Sequence, residues 1–118
     1  MARIPVLRLK NVLVVSLQVE MEDRVAIDLQ EDILSTLART GAGGLIVDVS
    51  GVEVVDSFLG RIIGDTARMA SMMGANTVLV GIQPAVAITL TELGLVFSNV
   101  RTALNLEKGL ALLKADLE

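Results

Sequence analysis

The first apolar stretch of the chain, IPVLRLKNVLVVSLQV over residues 4–19, is rich in β-forming residues. Lys10 and Asn11 interrupt it at its centre as a short polar turn, so we predict an antiparallel N-terminal hairpin. Pro5 suits an edge strand, because proline has no N–H to donate to a neighbouring strand.

The spacing of apolar residues changes from Asp23 onwards. They recur every three or four positions with acidic residues between them, which predicts an amphipathic helix that ends at Gly41, Gly43 and Gly44. A second helix with the same spacing is predicted after Ser57 and ends near Gly74. The apolar positions are Val25, Ala26, Leu29, Ile33, Leu34 and Leu37 in the first helix, and Leu59, Ile62, Ile63, Ala67, Ala70 and Met73 in the second.

Two short apolar runs, LIVDV at 45–49 and NTVLVGI at 76–82, predict strands buried on both faces. Pro84 is typical of the first turn of a helix, so we predict a third helix over AVAITLTEL that ends at Gly94. VFSNV at 96–100 is expected to be a short extended piece, and residues 105–117 a last helix. The expected apolar face of that helix is Leu106, Leu110, Leu113 and Leu117.

This order of elements predicts an α/β fold: a mixed β-sheet with an N-terminal antiparallel hairpin, packed against about four helices. The 118 residues fit a single domain over 1–118. The uncharged stretch 69–91 has the length of a membrane span, but glycines, Asn76 and Pro84 interrupt it. No signal peptide is apparent either, because Arg3 and Arg8 break the apolar N-terminus. We expect a cytoplasmic protein that does not enter the membrane.

Composition removes several classes of function. The formal net charge of −4, the lack of a basic cluster and the presence of only two aromatic residues argue against nucleic-acid binding. The absence of Cys and His excludes Cys/His metal sites, Ser-His and Cys-His nucleophiles, and disulfides. We expect no metal, no cofactor and no enzymatic activity. The hydrophobic share of 53% indicates apolar surface that is shared with other subunits.

The candidate site lies where parallel strands end, because ligands and partners of such sheets meet the loops at their carboxyl ends. SGVEVVDS at 50–57 and GIQP at 81–84 are two such loops, and they flank one surface if their strands are neighbours. Ser57 has two interpretations. It is the N-cap of the second helix, or Asp56 is the cap and the Ser57 hydroxyl faces solvent, where it can accept a phosphoryl group.

Residues around Ser57 also have alternative interpretations. Phe58 is a candidate contact residue, and Gly60 with Gly64 favours close helix packing. Gln83 and Pro84 form either a second rim of the site or only a helix-start turn.

Two further features remain open between structure and function. Asp48 assists phosphate chemistry or positions the loop. The cluster of Met69, Met72 and Met73 predicts flexible core filling, with a partner surface as the alternative.

The segments LIVDVSGVEVVDSFLGRIIG and NTVLVGIQPAVAITLTELGLVF together resemble the STAS domain of bacterial anti-sigma-factor antagonists, and within it the stressosome scaffold proteins of the RsbS type. The order of elements is similar over nearly the whole chain, and Asp-Ser followed by Leu-Gly resembles the phosphoacceptor motif of the family. The resemblance implies a STAS-like fold in which Ser57 is phosphorylated by a serine kinase of the RsbT type. Our candidate partner-binding residues are Asp56, Phe58, Gly60, Gln83 and Pro84.

The same resemblance implies a regulatory role. We expect a scaffold and phosphoacceptor of a stressosome, which sequesters the switch kinase and releases it when Ser57 is phosphorylated. Expected partners are STAS paralogues of the RsbR type, a PP2C-type phosphatase and further copies of the chain in a homo-dimer or higher oligomer. The alternative is a small soluble anti-sigma-factor antagonist that binds its anti-sigma kinase without a large assembly, and the size of the complex discriminates between the two.

Overall fold

The computed structural model of the protein describes residues 3–17, 21–92 and 100–117. Within these ranges the chain forms five strands and four helices. The strands are β1 (Leu7–Leu9), β2 (Val12–Ser16), β3 (Gly44–Asp48), β4 (Asn76–Val80) and β5 (Val100–Ala103). The helices are α1 (Asp23–Thr40), α2 (Ser57–Met72), α3 (Pro84–Glu92) and α4 (Leu106–Leu117).

The strands form one mixed sheet in the order β1-β2-β3-β4-β5. β1 and β2 pair antiparallel around the turn at Lys10 and Asn11, with Leu9 opposite Val12. The other neighbours pair parallel, and β3 lies at the centre between β2 and β4. The predicted α/β class, mixed sheet and N-terminal hairpin are confirmed.

One face of the sheet carries α1, α2 and α3. The apolar stripe predicted for α1 is buried there, as are the residues of β2, β3 and β4 that point to the same side. Since consecutive strand residues alternate between faces, Leu13, Leu45 and Leu79 belong to this layer. The larger of the two cores therefore lies on the side of the helix that begins at Ser57.

The opposite face is covered by α4, whose Leu113 packs among Val12, Ile46, Val78 and Val80. The helix lies close to the sheet at Gly109, where an added Cβ would be 2.8 Å from Val80 Cγ1. The predicted apolar face of α4 is wrong at Leu106, which is exposed. Leu106 directly follows Asn105, whose side chain accepts from the Lys108 N–H at 2.9 Å, so it lies at the start of the helix.

The last strand lies further along the chain than predicted. β5 begins at Val100 and includes residues 101–103, so it shares only Val100 with the predicted extended piece. The rest of that piece, at 96–99, lies outside the described residues, as does the predicted end of the third helix at Gly94. Pro84 is the first residue of α3, as predicted.

The methionine prediction is wrong for two of its three residues. Met72, the last residue of α2, is 81% exposed, and Met73, its C-cap, is 44% exposed. The uncharged stretch that includes them divides into the end of α2, β4 and most of α3, as predicted. Among the described residues no helix is both long and apolar enough to cross a bilayer.

Candidate functional site

Asp56 is the N-cap of α2. Its side chain accepts a hydrogen bond from the Leu59 backbone N–H at 2.8 Å, and its backbone is extended, as at ordinary N-caps. Ser57 is therefore the first helical residue, and it is exposed. Of the two interpretations left open by the sequence, the geometry supports the one in which Asp56 caps the helix and Ser57 follows it as an exposed residue.

The loop before α2 is held by backbone bonds and buried side chains. The Val49 N–H donates to Val80 O at 2.9 Å, and the Val52 N–H donates to Val49 O at 3.0 Å. The Asp48 side chain accepts from the Ser50 N–H at 2.9 Å. Asp48 therefore positions the loop, which was one of its two predicted roles.

The second predicted loop touches the first. The Gln83 side chain donates from Nε2 to the Ser50 backbone oxygen at 2.7 Å. The backbone carbonyl of Gln83 accepts from the Ala87 N–H at the start of α3. Gly81 has a φ of 74°, and a Cβ on it would lie 2.8 Å from the Ser50 Cβ. The two loops therefore form one surface, as expected if β3 and β4 are neighbours.

The loop before α2 carries exposed carboxylates and no cation. Glu53 and Asp56 are both exposed, and the segment 45–60 contains no Lys or Arg. The first cation of α2 is Arg61, four residues after Ser57 and exposed on the same side of the helix. A carboxylate beside a helix N-terminus is stabilised by the helix dipole, so Asp56 suits its position.

The other predicted contact residues differ in accessibility. Pro84 is exposed and Gln83 is half-buried. Phe58 is half-buried against the larger core, and Gly60 is buried within the chain. Leu59, which fits the core stripe, is buried there. Partner binding by these residues stays a prediction, and Gly60 presents the least surface for it.

Several residues that shape the site were not predicted from the sequence. Ser50 accepts the bond that joins the loops, and Gly81 allows their close approach. Val54 is exposed at the loop tip, and Arg61 lies one turn beyond Ser57. Gly81 in VGIQP at 80–84 was the sequence signal for the close approach of the two loops. Glycine is common where backbone φ is positive or where another part of the chain lies very near.

The chemistry available here is that of an acceptor. Within the described residues there is no group of side chains that could hold a metal ion. The chain contains no His or Cys to act as a base beside the Ser57 hydroxyl. The hydroxyl of the exposed Ser57 is a group that can accept a phosphoryl group from another molecule.

Comparison with known proteins places the chain in a family. The family model described as STAS domain matches residues 3–109. The curated relative RsbRD of Bacillus subtilis (strain 168), an RsbT co-antagonist protein, is 34% identical over 92 residues, which are 78% of this chain and 33% of the relative. The chain thus spans about a third of the length of that relative.

Two solved structures are similar over nearly the whole length of both chains. A serine-to-glutamate variant of Moorella thermoacetica RsbS superimposes with a TM-score of 0.88 and 41% identity, covering 98% of each chain. A second structure is described as the molecular architecture of the stressosome, a signal integration and transduction hub. One of its chains superimposes with a TM-score of 0.85 at 41% identity, covering 97% of this chain and 99% of that one.

Proposed function

Because the chain belongs to the STAS domain family, we propose that it is a regulatory scaffold and phosphoacceptor of a stressosome, with residues 1–118 acting as one domain. The observation that carries this proposal is the capping of α2 by Asp56, which leaves the Ser57 hydroxyl exposed at the start of the helix. The similarity to RsbS over nearly the full length of both chains supports the scaffold role.

The partners follow from the same similarity. The chain co-assembles with STAS paralogues of the RsbR type and with further copies of itself in the cytoplasm, and the relationship to RsbRD supports this. It sequesters a serine kinase of the RsbT type, which phosphorylates Ser57, and a PP2C-type phosphatase removes the phosphate. The chain is not itself an enzyme in this scheme, since Ser57 only receives the phosphoryl group.

Phosphorylation acts on a contact rather than on the fold. The phosphate adds about −1.5 to −2 charges, and at about 6 Å from the Asp56 carboxylate the repulsion is on the order of 1 to 5 kcal/mol at the protein surface. Helix-terminus stabilisation of about 0.3 to 2 kcal/mol offsets part of this. Burying the new charge in an apolar interface costs several kcal/mol, and each ~1.4 kcal/mol lowers affinity tenfold. The kinase is therefore released once Ser57 is modified.

The test is intact-mass and peptide mass spectrometry after incubation with the cognate RsbT-type kinase and ATP. Wild-type chain gains one phosphate on Ser57, and Ser57→Ala gains none. Thr91→Ala is the matched control, because the Thr91 hydroxyl is also on an exposed residue but donates to Ala87 O at 3.0 Å within α3. Phosphate on another residue, or none with an active kinase, would contradict the proposal.

Two further measurements test release and assembly. The phosphorylated chain is expected to bind the kinase more weakly than the unmodified chain, and equal affinity would contradict the switch. Co-expression with an RsbR-type paralogue is expected to give a large particle by light scattering. A small complex with the kinase alone would favour the simpler anti-sigma-factor antagonist.

A further inference from the structure

The loop before Ser57 presents one apolar side chain to solvent between two buried ones. Val54 is 76% exposed, whereas Val52 is 1% and Val55 is 3% exposed. An exposed valine has no stabilising role in the isolated chain, because its apolar surface remains in water. What distinguishes Val54 from other exposed apolar residues such as Met72 is its place in the loop that leads to Ser57, and this makes it a candidate for contact with another molecule.

The exposed tip is held in place by the fold. Val52 and Val55 are anchored in the larger core on either side of it, and the Val52 N–H donates to Val49 O. Gln83 holds the loop from the α3 side through Ser50 O. Valine has few side-chain rotamers, so little conformational freedom is lost when Val54 binds a partner. The tip is preorganised for docking.

The position and charge of the tip indicate which partner docks. Val54 is three residues from Ser57, so the two Cα atoms are at most about 11 Å apart. Glu53 and Asp56 flank it, and no Lys or Arg occurs from 45 to 60. A partner that reaches the Ser57 hydroxyl therefore comes close to an exposed apolar residue flanked by two carboxylates, with the cation Arg61 one helical turn beyond Ser57.

We propose that Val54 is the docking anchor for the serine kinase that modifies Ser57, and that it occupies an apolar kinase pocket bordered by Lys or Arg side chains. The position of Val54 three residues from Ser57 favours this occupant, and the exposed carboxylates of Glu53 and Asp56 would attract the Lys or Arg side chains that the proposal places around the pocket. The inference rests on the proposed function, since it assumes that a kinase acts on Ser57. It adds a residue that binds the kinase without touching the transferred group.

The experiment compares Val54→Ser with Met72→Ser. Both residues are highly exposed, so neither substitution disturbs the core. Met72 is the last residue of α2 and Ser57 the first, so Met72 lies about 22 Å from Ser57 along the helix. Binding is measured by titrating the fluorescently labelled cognate RsbT-type kinase, because the chain has no Trp or Tyr of its own. We expect Val54→Ser to weaken the kinase Kd about tenfold and Met72→Ser to leave it unchanged.

Kinetics and salt give independent readouts. Val54→Ser is expected to raise KM for Ser57 phosphorylation with kcat unchanged, because Val54 contributes binding and not chemistry. Glu53→Gln is expected to weaken binding at low salt and to reduce its salt dependence.

The outcomes separate this inference from the proposed function. If wild-type chain is neither bound nor phosphorylated at Ser57, the proposed function fails and the inference fails with it. If wild-type chain is bound and phosphorylated but Val54→Ser behaves identically, only the inference fails. Loss of paralogue assembly with intact kinase affinity in Val54→Ser would also overturn it, because the tip would then dock a STAS paralogue.

Discussion

The Asp56 carboxylate accepts the Leu59 backbone N–H at 2.8 Å, one residue before the exposed serine that begins α2. Two adjacent polar residues thus have different tasks. Asp56 satisfies a backbone donor that the helix cannot satisfy internally, and Ser57 contributes little to the helix end. Stability and modification can be tested separately at neighbouring positions.

The first prediction concerns this separation. Asp56→Ala is expected to lower the free energy of unfolding by about 1 kcal/mol, because a capping hydrogen bond is lost. Ser57→Ala is expected to change it by less than about 0.5 kcal/mol, as for ordinary surface sites. Urea unfolding followed by far-UV circular dichroism measures both. An equal loss in the two variants would contradict the assignment of Asp56 as the cap.

The second prediction concerns the close approach of the two loops at Gly81. Gly81→Ala adds a Cβ 2.8 Å from the Ser50 Cβ at a φ of 74°. Gly74→Ala is the matched control, since φ is 87° there but nothing lies within 4 Å. Gly74→Ala should cost about 1 to 2 kcal/mol for the backbone alone. Gly81→Ala should lower the free energy of unfolding by about 1 to 3 kcal/mol more than Gly74→Ala, because the added Cβ is crowded. Urea unfolding measures both variants, and an equal loss of stability in the two would show that the loops separate easily.

The third prediction concerns the bond from Gln83 to Ser50. Gln83→Ala removes the donor, and the expected loss in stability is about 0.5 to 1.5 kcal/mol. Amide hydrogen exchange in the segment 49–55 is expected to become faster. Asn105→Ala is the control, because it removes the comparable capping bond to the Lys108 N–H without touching this loop. Unchanged exchange in Gln83→Ala would contradict a loop-holding role.

The fourth prediction uses two buried threonines. The Thr77 hydroxyl has no hydrogen-bond partner in the part of the chain that the structure describes. The Thr66 hydroxyl donates to Ile62 O at 2.6 Å and accepts from Gln30 Nε2 at 3.0 Å. Thr77→Val removes an unpaired buried hydroxyl, so it is expected to leave the free energy of unfolding unchanged or to raise it by up to about 3 kcal/mol. Thr66→Val removes two hydrogen bonds, so it is expected to lower the free energy of unfolding by about 1 kcal/mol or more. Destabilisation by Thr77→Val in urea would reveal a partner for that hydroxyl.

The fifth prediction concerns Arg61 in the phosphorylated chain. A phosphate on Ser57 lies one helical turn from the exposed Arg61, at the spacing where opposite charges attract. Phosphorylated wild-type chain is expected to be more stable than phosphorylated Arg61→Gln by about 0.5 kcal/mol, with no such difference before phosphorylation. Arg68→Gln serves as the control, because Arg68 pairs with Asp65 on the same helix. Thermal unfolding at low salt measures the effect, and equal Tm shifts in all three chains would contradict it.

The sequence was most informative where periodicity is strong. The stripe on α1 was predicted because burial in a helix repeats every three or four residues, and the two central strands because strands covered on both faces are short continuous apolar runs. Prediction failed at element ends. Met73 and Leu106 have the right spacing for burial but are exposed, Met73 at the C-cap of α2 and Leu106 at the first residue of α4. Spacing within a helix contains no information about how far a covering layer extends.

The candidate site shows the same division. The position of Ser57 beside a helix start followed from the change in periodicity, and the proximity of the two loops followed from the expected order of strands. The choice between Asp56 and Ser57 as cap required coordinates, because both residue types cap helices equally well. The bond from Gln83 to Ser50 and the exposure of Val54 depend on tertiary contacts, which local pattern does not encode.

Strand order that follows chain order from β1 to β5 also has a consequence for synthesis. Because the N-terminal strands are synthesised first, each new strand can pair with a neighbour that has already been synthesised. Contacts are therefore local in sequence for a sheet that is mostly parallel. The exception is the face formed by Val12, Ile46, Val78 and Val80, which waits for Leu113 of α4. The nascent chain is therefore most prone to aggregation between the completion of β4 and the arrival of its last helix.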